Sequence, residues 1–256
     1  MRDQLLRDLA EQLAGGRLTI DDFVARAARS DVADLGDAQI DLDRRRRCGF
    51  PEVVYGEGKT VEQLAKIFDA LVAAGVDVLA TRVAAEKATE LALRYPTAKY
   101  NPVARTFRIP LSTATAMPCG RVVIVTAGTS DLPVAEEARE TALWTGAEVD
   151  LIQDVGVAGP QRLLAKLPEI RKADVVVCVA GMEAALPSVL GGHVDCPVIG
   201  VPTSVGYGAS LGGLTALFSM ASCCAANVVT VNIDAGFKGG YVAAMIALRS
   251  RRGAMP

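Results

Sequence analysis

The sequence predicts an α/β protein: a doubly wound parallel sheet in the C-terminal part, preceded by a smaller α/β domain. Three observations carry this. From residue 122 onward, apolar β-branched runs alternate with helical patterns through five β-α units joined by short loops. The first run, Val122-Val-Ile-Val-Thr126, ends abruptly in Ala127-Gly-Thr-Ser-Asp131 before a helical pattern starts at Pro133. Finally, 256 residues with 51% apolar content and a net charge of −2 are enough to bury a sizeable core and argue against a disordered chain.

The N-terminal part opens with two amphipathic helices, Arg2 to Ala14, stopped by Gly15-Gly16, and Thr19 to Arg29, begun by a capping-type Thr19-Ile-Asp-Asp22. Short strands near Ala38 to Asp41 and Glu52 to Tyr55 flank the basic run Arg44-Arg-Arg-Arg47. A helix over Val61 to Ala74, a strand over Val78 to Thr81, a helix over Ala84 to Arg94, and strands near Lys99 and over Thr106 to Ile109 complete a small module. Leu111 to Gly120 has turn formers and no long period, so it reads as a linker. The expected domains are 1–115 and 116–256.

In the C-terminal part the expected strands are Val122–Thr126, Glu148–Ile152, Asp174–Val179, Val198–Val201 and Val228–Ile233. The expected helices are Leu132–Trp144, Pro160–Ile170, Glu183–Leu190, Ala209–Cys223 and Gly239–Leu248. No Asp, Glu, Lys or Arg lies between Cys196 and Ile233. Prolines and glycines cut that run into pieces shorter than a membrane span, so it reads as buried strand, loop, helix and strand. A helix apolar all round must be covered, and Ala209 to Cys223 predicts a subunit interface and a homo-oligomer.

Composition excludes several classes. The near-neutral charge and 5% aromatic content argue against a nucleic-acid partner, and no membrane partner is expected. The charged first ten residues do not read as a signal peptide, so a cytoplasmic location is expected. Six cysteines without Cys-x-x-Cys spacing imply free thiols, with no disulfide framework and no zinc site. His193, the single histidine, rules out a site built on two histidines and reads as a loop residue.

Ligands of such sheets bind outside the carboxyl ends of the strands. That edge gathers Gly128 to Asp131, Asp154 to Gly156, Ala180 to Glu183, Pro202 to Tyr207 and Asn232 to Asp234. The candidate substrate-binding residues there are Gly128, Thr129, Ser130, Asp131, Gly181, Met182 and Tyr207. The turn at Gly128 to Asp131 meets a helix N-terminus, whose free N–H groups and dipole favour a phosphate or carboxylate. Ser130 or Asp131 also suits a simple helix cap, and capping and binding coexist. Gly56-Glu-Gly-Lys-Thr60 is superficially similar to a P-loop, but the first glycine that motif needs falls on Val53. Lys59 is thus either an anion contact or a turn lysine, and Arg47 either an anion contact or part of a solvated face. Glu183 suits a helix first turn and equally an acid or base at the rim of a cleft. Cys224, beside Cys223, is either an inert packing residue or a nucleophile.

The C-terminal part resembles the aminoimidazole ribonucleotide carboxylase, or PurE-type, domain in its Gly128-Thr-Ser-Asp131, its Ala180-Gly-x-x-x-x-Leu-Pro187 and its Pro197-Val-Ile-Gly-Val-Pro202. The chain from about Asp41 onward resembles the LarB family more closely. The motifs are Arg47-x-Gly-Phe-Pro-Glu-Val-Val-Tyr-Gly-x-Gly-Lys-Thr60, Thr126 to Asp131, Asp154-Val-Gly-Val-Ala-Gly159, Gly181-Met-Glu-x-Ala-Leu-Pro-Ser188, Pro202-Thr-Ser-Val-Gly-Tyr-Gly208 and Asn232-Ile-Asp234. The PurE-type resemblance implies a flavodoxin-like sheet and an octamer. The LarB resemblance implies carboxylation of the pyridinium ring of nicotinic acid adenine dinucleotide with CO2 or bicarbonate as co-substrate. It further implies hydrolysis of the phosphoanhydride, giving pyridinium-3,5-biscarboxylic acid mononucleotide and AMP, the first step of nickel-pincer cofactor synthesis. On this resemblance Cys224 is the nucleophile, with Cys223 as fallback, and Glu183 removes the ring proton. Arg47, Lys59 and the Ser130-Asp131 turn contact substrate charges, and Mg2+ assists hydrolysis with Asp131 as a candidate ligand. The alternatives are a purine-type carboxylase or mutase and a non-catalytic nucleotide-binding module. Against the purine reaction, the catalytic histidine of that enzyme, just before Leu-Pro, falls on Ala185.

Overall fold

A computed structural model describes residues 2–27, 32–111 and 120–252. They fall into two compact units, Met1–Glu52 and Val53–Pro256. The expected linker and the boundary near 115 lie at 112–119, outside the described residues, as does the expected helical end at Arg29.

The first unit contains helices α1 (Arg2–Ala14) and α2 (Ile20–Ala27), strands β1 (Val32–Asp34) and β2 (Gln39–Asp41), and helix α3 (Arg44–Cys48). Thr19 caps α2 by accepting the Asp22 N–H at 3.1 Å. The strands pair antiparallel, with Ala33 opposite Ile40. The basic run forms a short helix, ended by a left-handed Gly49.

The second unit opens with β3 (Val54–Tyr55), α4 (Val61–Ala73), β4 (Val78–Thr81), α5 (Ala85–Arg94), β5 (Lys99–Asn101) and β6 (Thr106–Ile109). The sheet order is β3-β4-β6-β5, parallel only between β3 and β4. Thr60 and Gln63 form a reciprocal capping box on α4. The apolar faces of α4 and α5 bury Leu64, Phe68, Leu71 and Leu91 against β4 and β6, where Phe68 stacks on Phe107.

The larger sheet follows: β7 (Arg121–Thr126), α6 (Leu132–Trp144), β8 (Glu148–Ile152), α7 (Pro160–Ile170), β9 (Val175–Ala180), α8 (Leu186–Gly191), β10 (Val198–Pro202), α9 (Leu214–Ala221), β11 (Val228–Thr230) and α10 (Gly236–Arg252). Its order is β11-β10-β9-β7-β8, all parallel. This is the flavodoxin-like doubly wound arrangement, with its switch point between β7 and β9. Both central strands are covered by helices on each face, which is why Val122–Val125 and Val175–Ala180 read as unbroken apolar runs.

Several expected elements change, among them the last helix, which runs Gly236–Arg252 and not Gly239–Leu248, and the strand expected from Glu52, which is only Val54–Tyr55. The helix expected over Ala209–Cys223 is a 3-10 turn, Gly208–Gly213, followed by the short α9. Leu211, Gly212 and Gly213 are left-handed and break it. Its side chains are not all covered within the chain: Leu211 is 67% and Phe218 65% exposed. The helix expected from Glu183 starts at Leu186, because Met182 and Ala184 are left-handed. The last strand stops at Thr230, short of Ile233.

Candidate active site

A cleft of about 600 Å³ opens at the carboxyl ends of the large sheet, centred on the switch point. Its walls are the segments following β7 (Ala127–Asp131), β8 (Asp154–Ala158), β9 (Gly181–Ala185) and β10 (Val205–Tyr207).

Asp131 holds three of these segments together, those after β7, β9 and β10. It is 3% exposed, and its two carboxylate oxygens accept the Thr203 hydroxyl at 2.7 Å and the Gly128 N–H at 2.9 Å. Burial raises its pKa above the ordinary carboxylate value, while the Thr203 hydroxyl and the Gly128 and Gly181 N–H groups pull it down. Gly181 must be glycine: a Cβ there would sit 2.4 Å from the Val205 carbonyl oxygen and 2.6 Å from the Thr203 hydroxyl. The Met182 N–H donates to the same Val205 carbonyl at 2.9 Å. Asp131 therefore ties together the ends of three strands. No group of three His, Cys, Asp or Glu side chains placed to hold a metal occurs among the described residues.

Glu183 stands exposed at the lip of the cleft between the left-handed Met182 (φ 54°) and Ala184 (φ 51°). Each such non-glycine residue costs about 1–3 kcal/mol, a strain typical of sites whose side chain must be aimed. Ala185 lines the cleft two residues further on. Opposite, Arg162 in the first turn of α7 is the one basic residue on the lining, and its Nη1 donates to Asp154 Oδ2 at 2.6 Å. Thr129 and Ser130 sit exposed at the start of α6, and Tyr207, 80% exposed, stands at the rim. Two helix N-termini and a guanidinium thus face one cleft, an arrangement suited to phosphate.

The cleft brings together Gly128, Thr129, Ser130, Asp131, Gly181, Met182, Glu183 and Tyr207. It does not include Cys224. Cys223 and Cys224 lie between α9 and β11, just before Asn227, whose carbonyl accepts the Val198 N–H at the start of β10. They sit at the amino edge of the sheet, the opposite end from the cleft of the same chain, with Cys224 exposed. Lys59 follows β3, half-buried, with its carbonyl accepting Lys87 Nζ at 2.6 Å. It does not line the cleft. Arg47 belongs to the first unit, where it pairs with Asp41 and Asp43. His193 lies in a loop at the amino edge, and its carbonyl accepts Arg171 Nε at 2.9 Å. The buried Cys178 and Cys196 thiols are pushed up by burial and are poor nucleophiles. Sequence reasoning missed Arg162 and Thr203. Arg162 is two residues past the helix-starting Pro160, where an N-terminal basic side chain faces whatever the helix dipole binds, and Thr203 stands within a quoted motif.

Residues 32–111 match the family model described as a LarB/PurE-like N-terminal domain, and residues 121–253 match that described as AIR carboxylase. An uncharacterized protein of Methanocaldococcus jannaschii is 38% identical over 250 residues, covering 94% of this chain and 96% of its own. The chain belongs to the LarB family. Its PurE-like half is also 33% identical over 129 residues to an N5-carboxyaminoimidazole ribonucleotide mutase of Thermotoga maritima, covering 49% of this chain and 74% of that one. A crystal structure of a PurE2 variant from Treponema denticola matches 52% of this chain and 89% of its own, at 17% identity and a TM-score of 0.41. The two family models make this a carboxylase-type protein with a PurE-like sheet. Among the described residues, no helix is long and apolar enough to cross a membrane.

Proposed function

We propose that this chain carboxylates the pyridinium ring of nicotinic acid adenine dinucleotide and hydrolyses its phosphoanhydride. The products are pyridinium-3,5-biscarboxylic acid mononucleotide and AMP, entering nickel-pincer cofactor synthesis. The observation that carries this reading is the lip of the cleft, where Glu183 stands beside Ala185 instead of a histidine. A proton shuttle through a histidine at that position is unavailable, while a carboxylate is at hand as a base.

The chemistry follows from the ring. A pyridinium carbon is too electron-poor to attack CO2. A thiolate adding to the ring gives a neutral enamine, whose β-carbon bonds to CO2. Glu183 then takes the ring proton, the C–S bond breaks, and aromaticity returns with the thiolate released. Hydrolysis adds one water across the anhydride. In this reading Arg162 and the Thr129-Ser130 turn hold phosphate, and Mg2+ travels with the pyrophosphate without a protein cage. Because one chain keeps Cys224 and the cleft at opposite edges of the sheet, the thiol is supplied by a second copy. Leu211, Leu214 and Phe218, exposed on the outer face near α9, support such an association.

The test is to incubate the full chain with nicotinic acid adenine dinucleotide, labelled bicarbonate and Mg2+, with Cys224→Ser alongside. Labelled mononucleotide and AMP are expected from wild type only. Their absence from wild type overturns the reading, and turnover of an aminoimidazole ribonucleotide in its place establishes the purine-type reaction.

A further inference from the structure

Arg82 belongs to the small-sheet module, far in sequence from the cleft, yet it leads directly to the cleft wall. It follows β4 in a left-handed conformation, φ 56°. A side chain rarely adopts that conformation unless the surroundings demand it. The turn sends its guanidinium across to the large-sheet layer. Nη2 donates to the Asp234 carbonyl at 2.5 Å, and Nε donates to Glu137 Oε1 at 3.3 Å. Glu137 is 4% exposed, and its other oxygen accepts the Phe237 N–H at 3.1 Å. That approach requires Gly236, where a Cβ would lie 2.2 Å from the Val134 carbonyl oxygen.

Asp234 is held on three sides. Arg82 takes its carbonyl, its N–H donates to the Pro202 carbonyl at 2.8 Å, and its Oδ1 accepts the Ser204 N–H at 2.8 Å. Ser204 begins the segment that continues as Val205, Gly206 and Tyr207 along the cleft. Val205 in turn receives the Met182 N–H, next to Glu183. The contacts form one unbroken path from Arg82 through Asp234, Ser204 and Val205 to Met182.

We propose that Arg82 is a positioning residue, through which the small-sheet module sets the Ser204–Tyr207 wall and the Met182–Glu183 lip of the carboxylase cleft. This gives the module a role in the reaction without any contact with substrate. Its turnover readout rests on the function proposed above, whereas its exchange readout does not.

The experiment uses the full chain and two variants that respect the left-handed backbone, Arg82→Gly and Asp234→Gly. Backbone amide exchange is followed by mass spectrometry, and kcat and KM are measured for AMP release. Both variants are expected to exchange at least about tenfold faster at 203–207 and 181–185, with β7 and β9 unchanged. They are also expected to lose about 10- to 100-fold in kcat with KM nearly constant. Faster exchange confined to 134–138 and 236–240, with 181–185 at the wild-type rate, overturns the proposal and leaves Arg82 only as the partner of Glu137. Asp234→Gly keeps both Arg82 contacts and cuts the path one step further on, at Ser204. Arg82→Asn, which also tolerates the left-handed backbone but is too short to reach Asp234, carries the test if Arg82→Gly fails to fold. If wild type shows no turnover of the dinucleotide, the functional reading falls while the exchange result still decides the role of Arg82.

Discussion

The two edges of the large sheet are built differently. At the carboxyl edge, Asp154, Met182, Ala184, Leu211 and Asp234 are all left-handed without being glycine. Among the described residues of the segments that enter the strands at the amino edge, the left-handed positions are glycines, Gly120 and Gly146. There the chain relies on saturated hydrogen bonding: the Asn227 amide donates to the carbonyls of Gly191, Val194 and Cys196 at 3.1–3.2 Å. Backbone strain collects where side chains must be aimed into a cleft, and unstrained pairing collects where the fold only has to close. The cleft thus sits on the strained edge, while Cys224 stands exposed on the settled one.

The strongest way to break this contrast is chemical. Cys224→Ser is expected to abolish turnover, and Glu183→Gln to lower kcat about 10²- to 10⁴-fold with the unfolding midpoint unchanged. Mixing the two inactive variants under subunit exchange should restore part of the activity, because the amino edge of one copy then serves the carboxyl edge of another. Full activity of Cys224→Ser alone removes the amino edge from the reaction altogether. Next in size, Arg162→Ala should raise KM about 10- to 100-fold, read from steady-state kinetics, as expected for loss of a charge-assisted phosphate contact.

At the amino edge the expected effect is on stability. Asn227→Ala leaves three carbonyls without that donor and should cost about 1–3 kcal/mol in urea unfolding, with kcat per folded molecule unchanged. Conversely, Ala184→Gly should release strain and stabilise by up to about 1 kcal/mol while lowering kcat, since the lip is then less firmly aimed. The smallest expected effect concerns Glu137. Burial raises its carboxyl pKa, with Arg82 and the Phe237 N–H opposing. The folded state therefore holds this proton more tightly than the unfolded state does. The stability it contributes is complete below about pH 4 and is lost as pH rises through the raised value. Unfolding of Glu137→Gln should accordingly gain on wild type as pH rises across that window.

Legibility in the sequence followed the range of the interactions. Strands such as Val78–Thr81 and Glu148–Ile152, and helices such as Leu132–Trp144 and Pro160–Ile170, run as expected, since period and capping are local. The Gly-Thr-Ser-Asp131 turn was readable as a cleft wall for the same reason. Its aspartate, however, looked like a ligand or a cap, and only the approach of Thr203 from another strand makes it a clasp. The apolar run after Ala209 promised one helix, but packing of Gly213 beneath the Thr203 carbonyl and the left-handed Leu211 and Gly212 divide it.

The sequence alone determined the doubly wound class, the carboxyl-edge location of the cleft, the motifs shared with the LarB family and the alanine at position 185. Each is encoded in the periodicity of short segments or in the identity of single residues. Tertiary structure alone decided that Arg162 faces the cleft, that Cys224 lies at the far edge, and that Arg82 reaches Asp234 from 152 positions away. Those facts depend on which side chains meet after the layers pack, and no local pattern records a meeting across that distance.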